Sequence, residues 1–218
     1  MLKTEETIFA KATGNGTSAV SIVRISGPFA LPAIKKFLLN DLSFIPRKAV
    51  LKDLFWDGKR LDRAIIIYFE GDKSFSGEET VEAHLHGSVA VVNQFLSALN
   101  SIKGLKPAGP GDFTRQSLYN GKMDLTEVEG LASLINSETY YQKLQAEKLF
   151  YGGFTKAVET WRHKLLIINA NLEAVVDFAE EDVEINYQSD VLDKLTFVIN
   201  DISKEISGSF YSEKISRG

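Results

Sequence analysis

Thr80-Val81-Glu82-Ala83-His84-Leu85-His86 alternates without a break, and that alternation sets the architecture of the first half of the chain. Successive side chains of a strand point to opposite faces, so Val81, Ala83 and Leu85 turn toward a core while Glu82, His84 and His86 share the other face. The chain therefore holds a sheet with one buried face and one chemically equipped face. Upstream, residues 50–56 and 61–69 flank Asp57-Gly58, the dipeptide suited to a two-residue type I′ hairpin, in which both central residues need positive φ. Further back, Ile8-Phe9-Ala10 and the apolar run over 20–25 read as two strands around a Thr13-Gly14-Asn15-Gly16 turn. Ser26-Gly27-Pro28 then offers a cap and a first-turn proline to a helix with Leu31, Ile34 and Leu38 at helical spacing. Downstream, residues 89–99 read as a helix leaning on the sheet, and residues 106–111 as a constrained Pro/Gly loop.

Beyond Lys122 no alternating run survives. Thr126 with Glu129 has the spacing of a capping box ahead of Val128, Leu131 and Leu134. Helical stretches are expected over about 138–151 and 154–178, separated by Gly152-Gly153. A last one is expected over about 190–206, with Leu195, Val198, Ile199, Ile202 and Ile206 on one stripe. The fold class is therefore α+β: a mixed-sheet α/β domain over residues 1–121, followed by an all-helical segment over 122–218.

Composition narrows the chemistry. Cys is absent from the 218 residues, which removes disulfides, thiolate zinc sites and a cysteine nucleophile. The opening residues lack the basic start and apolar run of a signal peptide, and no segment approaches the roughly 20 apolar residues of a membrane span, so a cytoplasmic protein is expected. A formal net charge of −4 is the wrong sign for a general phosphate-backbone binder. No G-x-x-x-x-G-K-[ST] occurs, since Gly121-Lys122 is followed by Met123, and these residues cannot form a P-loop. Gly14-Asn15-Gly16 lacks the third glycine of a dinucleotide fingerprint.

Four polar features remain. Two histidines at i, i+2 beside a carboxylate can reach one metal ion, so the Glu82/His84/His86 face allows a metal-dependent hydrolase as well as plain hydrogen-bonding histidines. The acidic residues Asp177, Glu180, Glu181, Asp182 and Glu184 miss the calcium-loop spacing and read as a solvated helix end. Arg24 interrupts an apolar strand, and Lys122 follows Asn120-Gly121 at a helix end, where a cation commonly partners the last carbonyls.

Taken together, the blocks Thr7-Ile8-Phe9-Ala10, Ile22-Val23-Arg24-Ile25-Ser26-Gly27-Pro28, Phe75-Ser76-Gly77-Glu78-Glu79, Val81-Glu82 with His86-Gly87, Pro110-Gly111-Asp112-Phe113-Thr114 and Asn120-Gly121-Lys122-Met123-Asp124-Leu125 resemble the successive signatures of the MnmE/TrmE family. Glu127-Val128-Glu129-Gly130-Leu131 and Asp177-Phe178-Ala179-Glu180-Glu181 extend the resemblance over essentially the whole chain. It implies a folate-binding and dimerisation domain similar to that of one-carbon enzymes, then the first part of a helical domain into which a Ras-like GTPase domain is inserted. That insertion is expected to begin about where Ser216-Arg217-Gly218 stand, so GTP, Mg and K would be bound outside this chain. The resemblance further implies modification of the tRNA wobble uridine with an MnmG/GidA-type flavoprotein partner, a homodimer, and a tetrahydrofolate derivative, 5-formyl or 5,10-methylene, as one-carbon donor. The family's folate contacts fall on Arg24, Glu82 and Lys122: a carboxylate such as Glu82 suits the N–H donors of a pterin, while Arg24 and Lys122 suit its carbonyl or the carboxylate tail. Thr13-Gly14-Asn15-Gly16-Thr17-Ser18-Ala19, Ser88 and Arg115-Gln116 depart from the family pattern. Against this stand the metal hydrolase using His84 and His86, and a scaffold that binds no folate.

Overall fold

The computed structural model describes residues 6–40, 43–177 and 186–216, with side chains placed over 6–40, 43–173 and 191–207. Two units separate by their internal contacts, Met1–Asp124 and Leu125–Gly218. The first is a mixed sheet with helices and the second is helical, an α+β chain.

In the first unit six strands, β1 (Thr7–Lys11), β2 (Val20–Ser26), β3 (Val50–Trp56), β4 (Lys59–Phe69), β5 (Thr80–His86) and β6 (Leu105–Pro107), form one sheet in the order β3-β4-β5-β2-β1-β6. All neighbours run antiparallel except β1 and β6. The β3–β4 hairpin turns where its residue types require, with φ of 50° at Asp57 and 71° at Gly58. Strand β6 corrects the loop expected from residue 106 onward: Leu105, Lys106 and Pro107 pair with Thr7, Ile8 and Phe9. Three residues are too few to show alternation, and a proline is tolerated because β6 lies at the sheet edge.

Helices α1 (Ala30–Lys35) and α2 (Val89–Asn100) cover one face of the sheet. The first begins after Pro28 and has Phe29 as its N-cap residue with no side-chain cap, rather than starting on Ser26-Gly27-Pro28. Val23, Ile25, Leu54, Ile66, Val81, Ala83 and Leu85 from the strands meet Ile34, Phe37, Phe95 and Leu99 in one buried cluster. Phe37 anchors it, 4.9 Å from the Trp56 ring and 4.7 Å from that of Phe95. Each of the larger side chains contributes roughly 1.5–3 kcal/mol on burial, which fixes the strand register because a one-residue slip would expose the whole set.

The second unit holds α4 (Leu125–Ile135), α5 (Tyr140–Phe150), α6 (Gly153–Asp177) and α7 (Asn186–Ser216), following the short α3 (Asp112–Tyr119) that closes the first. Thr126 lies inside α4 and does not cap it; the capping box forms instead at α5, where the Thr139 hydroxyl accepts from the Gln142 amide and the Gln142 side chain accepts from the Thr139 amide. On α7 the inward stripe is Val191, Leu195, Val198 and Ile202, while Ile199 and Ile206 are exposed. Helix α7 is tied to α6 by a 2.7 Å hydrogen bond from Trp161 Nε1 to Asp201. The acidic run over 177–184 lies outside the described side chains. Among the described residues no helix is long and apolar enough to cross a membrane.

Candidate functional site

The sheet face opposite α1 and α2 carries the polar residues of β5. Directly opposed residues of antiparallel strands project to the same side, so the pairings Arg24 with Glu82, Ile67 with Glu82, and His84 with both Ile22 and Ile65 place all of these on one face. That face is open at Val20, Leu51, Ile65 and His86, each more than a third exposed. Toward Arg24 it is covered by the loop over residues 71–79 and by α3.

Arg24 and Glu82 form the centre of the arrangement. Glu82 Oε1 accepts from both Nε (3.0 Å) and Nη2 (2.7 Å) of Arg24. The two side chains keep 24% and 15% of their surface, so the pair is neither fully solvated nor sealed away. Because a single oxygen takes both donors, Oε2 is left with one close approach among the described residues, His84 Nε2 at 3.5 Å. That nitrogen is itself buried and has no hydrogen-bond partner. The Arg24 guanidinium also lies 5.3 Å from the Phe75 ring centre and 5.5 Å from that of Phe113.

The 71–79 loop is held by buried hydroxyls. Ser76 Oγ is 2.6 Å from Ser26 Oγ and 3.1 Å from Thr80 Oγ1, and Ser74 donates to the Glu78 carbonyl at 2.6 Å. Asn120, at the end of α3, donates to the Ser76 carbonyl (2.8 Å) and to Glu78 Oε1 (3.2 Å), which locks the loop to the segment carrying Lys122. Gly77 has φ +77°, and a Cβ there would fall 2.7 Å from Asn120 Cβ and 2.9 Å from Lys122 Cγ, so only glycine lets the two segments meet. Lys122 is exposed, and its ammonium donates to the Asp72 carbonyl at 2.5 Å. Arg24 and Glu82 are thus brought into contact, whereas Lys122 has no direct bond to either and reaches them only through the loop. Phe75, Phe113 and Asn120 carry no spacing signal that would unite them with residue 24; their one mark in the sequence is that they sit inside the quoted blocks.

His84 and His86 do not converge on one point. His86 Nδ1 is 2.7 Å from Asp62 Oδ1, and its backbone amide donates to the same carboxylate, whereas His84 approaches Glu82. Among the described residues no three His, Asp or Glu side chains are grouped as a metal site. Tyr68, below the loop, has its phenol pushed up from the ordinary value of 10.0, first by burial and then by the Glu79 carboxylate to which it donates.

An α+β unit whose charged pair lies at the covered end of an otherwise open sheet face, followed by a helical unit, describes an α+β domain joined to a helical domain. Sequence comparison supplies the family. The model described as "GTP-binding protein TrmE N-terminus" matches residues 7–122, and that described as "MnmE helical domain" matches residues 125–218. The chain belongs to the MnmE/TrmE family. It is 42% identical over 215 residues to a tRNA modification GTPase MnmE of Cereibacter sphaeroides, covering 98% of this chain and 49% of the relative. It is 40% identical over 214 residues to that of Roseobacter denitrificans, covering 98% and 50%, and 42% identical over 221 residues to that of Beijerinckia indica, covering 99% and 48%. The chain spans about half the length of these curated relatives.

Proposed function

We propose that the first unit binds a reduced folate through Arg24, Glu82 and Lys122, within a protein that modifies the wobble uridine of tRNA. The observation that carries this is the Arg24–Glu82 pair. With Nε and Nη2 engaged on Oε1, the guanidinium keeps its Nη1 donors, which point away from that bond, and Glu82 keeps Oε2 as an acceptor. A guanidinium donor and a carboxylate acceptor suit a cyclic amide, which presents a carbonyl and an N–H, and the 4-oxo, 2-amino edge of a pterin presents both. Arg24 then takes the carbonyl and Glu82 the ring N–H and amino group. Lys122, exposed and bonded to a main-chain carbonyl, retains donors for a tail carboxylate. A reduced folate supplies an activated one-carbon unit; the residues named here bind and orient it and hold no proton in transit.

The relatives are named as tRNA modification GTPases, and the 218 residues contain no P-loop, so nucleotide chemistry is assigned outside them. The same family membership supports a cytoplasmic homodimer formed through the first unit and an MnmG/GidA-type flavoprotein partner. Calorimetry with 5-formyltetrahydrofolate tests the site: saturable binding by the wild-type chain, lost in Glu82→Ala, is expected. A wild-type chain that takes up no folate would overturn the reading.

A further inference from the structure

A guanidinium is recognised in its plane by its N–H groups and across its faces by aromatic rings. At Arg24 the N–H groups meet Glu82, and the guanidinium carbon lies over the Phe75 and Phe113 rings. Phe75 and Phe113 lie within the ~6 Å range over which a ring quadrupole attracts a cation. They come from the 71–79 loop and from α3, segments that supply neither Arg24 nor Glu82. Each ring stands on a fixed support. Phe75 sits between the buried Ser74 and Ser76, both anchored by hydroxyl bonds. Phe113 follows Asp112, whose carboxylate accepts from the Gly109 amide at 2.7 Å and from Arg115 at 2.8 Å. A free arginine side chain samples many rotamers, and that freedom is removed here in the folding of the chain rather than on ligand binding.

We propose that Phe75 and Phe113 are positioning residues that fix the Arg24 guanidinium on Glu82 Oε1 and leave its Nη1 donors to a ligand, and that they thereby select a planar ring that offers Arg24 a carbonyl while it offers Glu82 an N–H. The ligand's identity rests on the folate reading; the clamp on Arg24 does not. A 4-oxo pterin edge meets the pair donor to acceptor. A 4-amino edge sets an amino donor against the guanidinium, and a fixed arginine cannot turn away from it.

The test compares Phe75→Leu and Phe113→Leu with Phe75→Tyr and Phe113→Tyr in the 218-residue chain. Binding of 5-formyltetrahydrofolate and of its 4-amino-4-deoxy counterpart is measured by calorimetry. Each Leu variant, which keeps apolar bulk without a ring, is expected to bind the 4-oxo compound about two- to fivefold more weakly and to lose preference for it over the 4-amino compound. The Tyr variants keep both. Leu variants with wild-type affinity and preference, or Tyr variants impaired as much as Leu, overturn the proposal. A second readout needs no ligand: rotation about the Arg24 Nε–Cζ bond, followed by side-chain nitrogen resonances, is expected to be hindered in the wild type and faster in the Leu variants. Fast rotation in the wild type, or hindered rotation that is unchanged in the Leu variants, overturns the clamp. Hindered rotation that becomes faster in the Leu variants, in a chain that binds no folate, supports the clamp and overturns the folate reading alone.

Discussion

Replacing Glu82 by Gln separates the structural from the recognition role of this carboxylate, because the shape is kept while one acceptor becomes a donor. The amide oxygen can take the place of Oε1 and still receive both Arg24 donors, at 3.0 and 2.7 Å, and the new amide nitrogen then faces His84 Nε2 in place of Oε2. What is lost in the free protein is the charge on the pair. An exposed ion pair is worth about 0–1 kcal/mol, and breaking a buried one costs about 3–5 kcal/mol. With 24% and 15% of the side-chain surfaces retained, and with the hydrogen bonds conserved, a cost of about 1–2 kcal/mol follows. For a cooperative unit the size of Met1–Asp124, about 1 kcal/mol corresponds to roughly 4 °C, so thermal unfolding followed by circular dichroism should move down by roughly 4–8 °C. Binding falls far more. The amide N–H₂ now opposes the ring N–H and amino donors, removing a charge-assisted bond and leaving donors unpaired, which lowers 5-formyltetrahydrofolate affinity by roughly 100-fold or more. Titration calorimetry on the folded variant reads this directly. Wild-type affinity in Glu82→Gln would refute the assignment of Oε2 as the pterin acceptor, and a stability loss beyond about 4 kcal/mol would show that the pair is sealed from water, contrary to the exposure used here.

Gly77→Ala forces a left-handed alanine and drives its Cβ against Asn120 and Lys122, which should cost about 2–4 kcal/mol in urea unfolding; a loss below about 1 kcal/mol would contradict the close approach. The raised Tyr68 phenol gives a pH signature. The unfolded chain releases this proton near the ordinary value of 10.0 while the folded chain holds it, so the contribution is complete below that pH and is lost as pH rises through the folded value. The difference in unfolding free energy between wild type and Tyr68→Phe should therefore shrink as the solution is taken above about pH 10, and a difference that stays flat would remove the burial and Glu79 explanation.

Much of the fold could be read along the chain because period and turn chemistry are local. The alternation over Thr80–His86 placed Glu82, His84 and His86 on the face away from the core, and Asp57-Gly58 marked the hairpin, since each depends only on neighbouring residues. The Thr126/Glu129 pair misled because a capping pattern says nothing of whether the backbone before it is already helical, and α4 begins at Leu125. Strand β6 was hidden because an edge strand of three residues owes its existence to β1, ninety-odd positions upstream. The site divides the same way. Sequence alone determined which residue types stand at 24, 82 and 122 and that Glu82 faces outward. Only the tertiary structure decided that β2 and β5 run side by side in the register that seats Arg24 on Glu82, that Phe75 and Phe113 flank the guanidinium, and that Lys122 is tied to them through a loop that closes at Gly77. Those contacts join segments dozens of residues apart, and they are set by the burial of the strands' other face, where the polar residues themselves take no part.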